Sequence, residues 1–308
     1  MSEIVISEFM SEAAIASALD GFDVLYDPSL VDRPDMLAAA LDDCRGLIVR
    51  NRTQVNEALL NVAPNLKVVG RLGVGLDNIN TEACAARKVS VFPATGANDL
   101  SVAEYVITAA LVLLRRAWFA SADVAAGSWP RMQLIGSEAE GRRLGLVGFG
   151  AIAQLTAKKA RALGLSVCAF DPYVASDDPR WFGIEQIKFG DLLATCDIVS
   201  LHVPLTANTR SLISADAIAQ MKKGAILINA ARGGVVDEAA LVEALKAGRL
   251  GGAALDVFAE EPVSARSGAI FNAVPNLILT PHIAGVTTQS NERVSLVTAQ
   301  AVARALRS

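Results

Sequence analysis

Leu144-Gly145-Leu146-Val147-Gly148-Phe149-Gly150-Ala151-Ile152-Ala153 decides how this chain folds. The apolar run Leu144 to Val147 reads as a buried strand. Gly148 and Gly150 form the turn after it, and Ala153 takes the third small position of a G-x-G-x-x-G/A pattern on the next helix. Glycines there let backbone N–H groups approach a pyrophosphate, and the start of the helix stabilises its charge. Beyond a helix over 151–164 lies a second strand, Ser166 to Phe170, ending at Asp171. That acid is 21 residues past Gly150 (171 − 150), where a dinucleotide site places a carboxylate to accept from a ribose 2′-OH. The same carboxylate repels a 2′-phosphate, so the expected cofactor is NAD rather than NADP. A glycine motif alone is weak; strand, turn, helix, strand and acid in register are specific.

The glycine turn sits near the middle of 308 residues, so a further domain precedes it, in line with a length that favours about two domains. A hydrophobic fraction of 52% supplies two packed cores and excludes disorder. The net charge of −4 and the lack of a long basic run exclude nucleic acid as an expected partner. Apolar runs such as Val106 to Leu114 fall short of the roughly 20 residues that a membrane span needs. The start, Met1-Ser2-Glu3-Ile4, lacks the basic region and apolar core of a signal peptide. Cys44, Cys84, Cys168 and Cys196 show no metal-ligand spacing and read as small buried residues in a reducing cytoplasm. No metal site is expected.

Outward from the glycine turn, both halves of the chain alternate strands with helices. Ile4 to Ser7, Asp23 to Tyr26, Gly46 to Val49, Lys67 to Gly70 and Val89 to Phe92 read as short strands, with helices such as Pro34 to Asp43 and Thr81 to Arg87 between them. Leu100 to Ala126 reads as one long helical stretch. Strands at Ile198 to Leu201, Ala225 to Asn229, Gly252 to Leu255 and Leu277 to Leu279 extend the cofactor sheet, and a last helix runs from about Thr287 to Arg307. Such alternation predicts an α/β protein with two Rossmann-like or flavodoxin-like domains, each with a parallel sheet. The expected division is residues 1–97 with 286–308 as a substrate domain and 98–285 as an NAD-binding domain, with the active-site cleft between them.

Chemistry-bearing residues gather just after strands, where open parallel sheets bind ligands. Asn229-Ala230-Ala231-Arg232-Gly233-Gly234 puts an arginine in a glycine-flanked loop. Asp256-Val257-Phe258-Ala259-Glu260-Glu261-Pro262 ends in two acids, and Thr280-Pro281-His282 follows the next strand. His202 and His282 are the chain's two histidines, so carriers of a proton near neutral pH are few. Arg232, an acid near 261 and His282 on successive strand ends mark a site more firmly than any one of them would alone.

These segments resemble the D-2-hydroxyacid dehydrogenase family, in its phosphoglycerate dehydrogenase branch, over essentially the whole chain. The matching stretches include Val69-Gly70-Arg71-Leu72-Gly73-Val74-Gly75-Leu76-Asp77-Asn78, Asn98 with Ser101-Val102-Ala103-Glu104, and Ser200-Leu201-His202-Val203-Pro204-Leu205-Thr206. The glycine turn, Asn229 to Gly233, Asp256 to Phe258, Glu261-Pro262 and Pro281-His282 complete the set. The resemblance implies that Arg232 holds the substrate carboxylate and polarises the C2 oxygen, a task suited to a planar, permanently charged fork. It implies that His282 exchanges the hydroxyl proton, and that Glu261 orients His282 and favours its protonated form. Glu261 is preferred to Glu260 because the family acid directly precedes the proline. The implied cofactor set is Gly148, Phe149, Gly150, Ala151, Ile152, Asp171, His202, Val203, Pro204, Thr209, Ala230, Ala231, Arg232, Asp256, His282 and Gly285. Within it Asp256 lies near the nicotinamide carboxamide, and His202 reads as structural.

For the substrate, the resemblance implies that backbone N–H groups at Gly73, Val74 and Gly75 bind a carboxylate, with Asn98 nearby. Arg50, Asn51 and Arg52 align with a stretch that meets the far end of the substrate. Arg50, Arg52 and Arg71 make this side basic in an acidic protein, which favours a second anion at C3. Two departures bear on which anion. Val286 stands where the branch commonly has a serine after the catalytic histidine, and Arg50-Asn51 replaces its usual basic-serine pair. The pattern, including Ile4 to Phe9 and Gly285 to Gln289, is also similar to sulfolactate dehydrogenases. (S)-Sulfolactate has the spatial arrangement of a D-hydroxy acid, and its sulfonate carries one charge where phosphate carries nearly two. The expected substrate is thus (S)-sulfolactate, with 3-phosphoglycerate or another D-2-hydroxy or 2-keto acid as the alternative. A reading from another class is an NAD-sensing, corepressor-like protein that acts through partner contacts. The family also implies a homodimer through the helix from Leu100. With the chain ending at Ser308, no C-terminal regulatory extension is expected.

Overall fold

A computed structural model describes residues 2–308, apart from the side chain of Trp118. The chain divides into two compact units, Met1–Asn98 with Val286–Ser308, and Asp99–Gly285.

The first unit runs β1 (Ile4–Ile6), α1 (Glu12–Ala18), β2 (Val24–Tyr26), α2 (Pro34–Leu41), β3 (Gly46–Val49), α3 (Glu57–Asn61), β4 (Val68–Arg71), α4 (Thr81–Ala86) and β5 (Ser90–Pro93). Its five strands are parallel in the order β2-β1-β3-β4-β5. Neighbouring residues on a strand face opposite sides, so two cores form. Ile4, Ile6, Ile48 and Val68 pack with Val294, Ala299, Val302 and Leu306 of the closing helix Thr288–Arg307. Val5, Leu47, Val49 and Val69 pack with Leu37, Leu41, Leu60 and Cys84 on the other side. The closing helix starts at a capping box, in which Thr287 and Ser290 each accept the other's backbone N–H.

The second unit begins with α5 (Asp99–Arg115) and α6 (Ala120–Ala125). It continues through β6 (Arg143–Val147), α7 (Ala151–Ala162), β7 (Ser166–Phe170), β8 (Glu185–Gln186), α8 (Phe189–Thr195), β9 (Ile198–Leu201), α9 (Ala215–Gln220), β10 (Ile226–Asn229), α10 (Glu238–Lys246), β11 (Gly252–Leu255) and β12 (Leu277–Leu279). Seven parallel strands take the order β12-β11-β10-β9-β6-β7-β8. Strands such as β9 and β10 are buried along their whole length, because helices cover both faces. In each sheet the direction of winding reverses once, at β1/β3 in the first and at β6/β9 in the second. Such reversal points are where doubly wound sheets bind ligands.

The helical stretch expected from Leu100 to Ala126 is not continuous. Arg116 takes a left-handed φ of 54°, ending α5 before a short turn at Ala117–Phe119 and then α6. The cause is tertiary: the Leu114 carbonyl, near the end of α5, accepts the N–H of Ser137, and Arg116 Nη1 donates to the Gln133 carbonyl. The short edge strand β8 was not anticipated either. All four cysteines are buried and free, with Cys168 Sγ 3.4 Å from Cys196 Sγ. Among the described residues no helix is long and apolar enough to cross a membrane.

Candidate active site

The turn after β6 stands at the reversal point of the second sheet. Gly148 has φ +92°, and a Cβ there would run into the His202 carbonyl oxygen on the loop after β9. Glycine is therefore required twice, by dihedral and by space. The N-cap of α7 is Gly150, which offers no side-chain cap, so the first-turn N–H groups of Ala151 and Ile152 stay available to an anion. The Phe149 ring is buried and stacks on Trp181 at 4.8 Å. Its N–H donates to Asp171 Oδ2 at 2.8 Å, while Tyr173 N–H donates to Oδ1 at 2.9 Å. Two backbone donors thus fix the acid at the end of β7, and carboxylate oxygens keep lone pairs for a further donor. A cradle closed by backbone, an uncapped helix start and an oriented carboxylate fit a dinucleotide.

Val203 and Pro204 follow His202, and Thr209 Oγ1 closes their loop by donating to the Pro204 carbonyl at 2.6 Å. His202 Nε2 lies 3.0 Å from Ser200 Oγ. Desolvation pushes this imidazole down to about 4, so it stays neutral at pH 7, as suits a structural histidine.

Three loops at the ends of β10, β11 and β12 carry the other candidates. Asn229 ties the first, accepting from Ala231 N–H and donating to the Arg232 carbonyl, across Ala230. A Cβ on Gly233 would occupy the place of the Phe258 carbonyl, so the arginine loop lies against the loop bearing Glu261. Glu261 Oε2 is 2.7 Å from His282 Nδ1, and Oε1 accepts the Phe258 N–H at 2.9 Å. Burial opposes ionisation of Glu261. The hydrogen bonds from His282 and Phe258, with the charges of His282 and Arg232, nevertheless hold its carboxyl below the ordinary value. The carboxylate fixes the proton on Nδ1 and leaves Nε2 as the nitrogen for chemistry. Glu260 turns elsewhere and accepts from Ser267 Oγ.

His282 has a left-handed backbone with φ 55°, which costs on the order of 1–3 kcal/mol in a residue other than glycine. Asp256 holds it there. Its carbonyl accepts His282 N–H at 2.8 Å, and its carboxylate accepts the N–H groups of Ile283 and Ala284, each at 2.8 Å, just before Gly285. Thr280 Oγ1 donates to the same carboxylate at 2.6 Å and lies 2.6 Å from the Tyr105 hydroxyl on α5. Burial raises Asp256 above the ordinary carboxyl value against these bonds, and pushes the Tyr105 phenol up to about 12. Sequence reasoning missed Tyr105 and Thr280 as supports; the run Thr280-Pro281-His282 was the available signal.

In the first unit, Arg50, Asn51 and Arg52 follow β3. Their N–H groups and that of Thr53 all point to Glu8, at 2.8, 3.3, 3.1 and 3.0 Å. Glu8 is 4% exposed. Burial opposes its ionisation, yet the N–H groups of Thr53, Arg50 and Arg52 hold it below the ordinary value. Arg50 Nη2 donates to Asn291 Oδ1 at 2.6 Å, and its guanidinium sits 5.8 Å over the Phe9 ring. Arg52 pairs with Asp32 at the surface, both side chains exposed. After β4, Arg71 Nη1 donates to the Leu72 carbonyl at 2.9 Å and covers Gly73, where φ is +148°. Val74 and Gly75 continue that loop. Asn98 Oδ1 is buried with no hydrogen-bond partner among the described residues.

A family model described as the NAD binding domain of D-isomer specific 2-hydroxyacid dehydrogenases matches residues 107–284, more than half of the chain. An (S)-sulfolactate dehydrogenase of Chromohalobacter salexigens is 51% identical over 99% of each chain. A D-3-phosphoglycerate dehydrogenase of Mycobacterium leprae is 39% identical over 98% of this chain, which spans 56% of that relative's length. Among solved structures, a D-lactate dehydrogenase of Aquifex aeolicus in complex with NAD and lactic acid gives a TM-score of 0.85 at 26% identity. It matches 99% of this chain and 95% of its own.

Proposed function

The chain belongs to the D-isomer specific 2-hydroxyacid dehydrogenases, NAD-dependent oxidoreductases, and we propose that its substrate carries a second anion on C3, (S)-sulfolactate before 3-phosphoglycerate. One observation carries the chemical reading: the 2.7 Å pair of Glu261 and His282, with the Arg232 charge acting on the same carboxylate. In hydroxy-acid oxidation, His282 Nε2 takes the hydroxyl proton, and in keto-acid reduction it returns it. Arg232 binds the C1 carboxylate and polarises the C2 oxygen through its fork. Asp256 keeps the histidine turn in place. The glycine turn, the N-terminus of α7 and Asp171 hold NAD, which when bound supplies the hydride acceptor.

The substrate assignment is supported by the sulfolactate dehydrogenase relative, alike over its whole length, and by the arginine loop after β3. The test is kcat/KM for sulfolactate, 3-phosphoglycerate and D-lactate, with NAD and with NADP. Sulfolactate with NAD should lead. If phosphoglycerate leads, the sulfonate assignment fails. If NADP equals NAD, Asp171 does not select the cofactor. Bound NAD without turnover of any hydroxy acid favours the NAD-sensing reading instead.

The proposal includes a cytoplasmic homodimer with no nucleic acid or membrane partner. A net charge of −4 and four buried free cysteines are consistent with it. Trp129, Met132 and Ile135, in the segment that follows α6, are each exposed, and a second copy would cover them. Sedimentation at micromolar concentration should give a dimer; a stable monomer removes this part.

A further inference from the structure

We propose that Glu8 and Asn291 are positioning residues that set selectivity for the C3 anion, Glu8 by serving as an internal ligand of the loop after β3 and Asn291 by aiming the Arg50 guanidinium. The inference rests on the reading of that loop as the site for the distal anion. The reversal point of the first sheet lies between β1 and β3, and four consecutive N–H groups converge there. In a doubly wound sheet such a convergence is a ready site for an external anion. Here the carboxylate of Glu8, two residues past the end of β1, accepts all four N–H groups.

This has a chemical consequence. With its backbone donors taken, the Arg50–Thr53 segment meets an external anion through side chains. Arg52 is engaged by Asp32 at the surface, which leaves Arg50 as the principal cation. Arg50 is held from three directions: by Asn291 Oδ1, by the Phe9 carbonyl at 3.3 Å and by the Phe9 ring. Two of its five N–H donors serve the protein, and the fork keeps others for a ligand. The Glu8 charge close behind Arg50 leaves the loop near neutrality. One added negative charge on the ligand suits it better than two, which matches a sulfonate rather than a phosphate.

The test measures kcat/KM for sulfolactate and for D-lactate, which has no C3 anion, in Glu8→Gln and Asn291→Ala. Each variant should lower the sulfolactate-to-lactate ratio by roughly ten- to hundredfold, the range for losing a well-aimed charge-assisted hydrogen bond. The loss should lie in KM more than in kcat. Glu8→Asp, which keeps the charge, should recover part of the ratio. NAD affinity, read by protein fluorescence, reports whether each variant is folded. Should Glu8→Gln not fold, Asn291→Ala carries the test, since Asn291 lies on the partly exposed side of the closing helix. Equal losses on both substrates, or no change in the ratio, overturn the inference. If the wild-type enzyme itself does not prefer sulfolactate to D-lactate, the assignment of the distal-anion site has failed instead.

Discussion

Replacing His282 with alanine should lower kcat by about 10²- to 10⁴-fold while NAD binds as before, because one group supplies the general acid–base step. The cofactor turn follows β6, and the loops after β9, β10 and β11 lie between it and the loop bearing this side chain, so binding and turnover separate. Glu261→Gln refines the test. The amide keeps a hydrogen bond to Nδ1 but removes the carboxylate. Glu261 has its pKa lowered, so its charge is present at neutral pH and is lost only as the pH falls through that lowered value. Near and above neutrality the wild-type enzyme therefore has an anion beside the imidazole that stabilises the imidazolium. Keto reduction needs that protonated form, so Glu261→Gln should lose reductase activity at a lower pH than wild type as the pH rises. Glu260→Gln, whose carboxylate faces Ser267, should leave the profile unchanged. A shift with the Glu260 variant and none with the Glu261 variant would show that the wrong acid was chosen.

Replacing Arg232 with alanine should lower kcat by roughly 10² to 10³, the usual cost of removing one preorganised donor aimed at a developing oxyanion. It should raise KM as well, because the same fork binds the C1 carboxylate. Arg232→Lys keeps the charge but not the paired donors, and should recover only a small part. The loop itself is tied by Asn229 through backbone contacts, so it should survive either change. Steady-state kinetics with NAD titrated separately checks this. Wild-type kcat in Arg232→Ala would remove the arginine from the chemistry.

The sheets were legible because parallel strands buried on both faces are short continuous apolar runs. Gly46–Val49, Ser166–Phe170, Ile198–Leu201, Gly252–Leu255 and Leu277–Leu279 are found at their expected residues, and the other expected strands, with every expected helix except the one from Leu100, differ by one or two residues at their ends. The break at Arg116 was not legible. Its neighbours are good helix formers, and what ends the helix is an N–H from Ser137, far along the chain. The approach of an acid near 261 to His282 was legible, since both lie just past neighbouring strands. Glu8 was not, because a single acid after a strand carries no periodicity. Only the topology, by setting β1 beside β3, brings four N–H groups to it. Tyr105 was hidden for a similar reason: its place in α5 looks like any half-buried helical aromatic until Thr280 is found against its hydroxyl.

The left-handed backbone at His282 sets what selection on this protein would do under different pressures. At that position glycine meets no dihedral penalty, and asparagine little, whereas histidine is strained. A laboratory screen that rewards heat resistance alone should therefore drift toward glycine or asparagine at 282, giving sturdier proteins that no longer turn over. A screen that rewards growth on the substrate should retain the strained residue and gather its stabilising changes elsewhere. Position 282 is a point where durability and turnover pull the sequence in opposite directions.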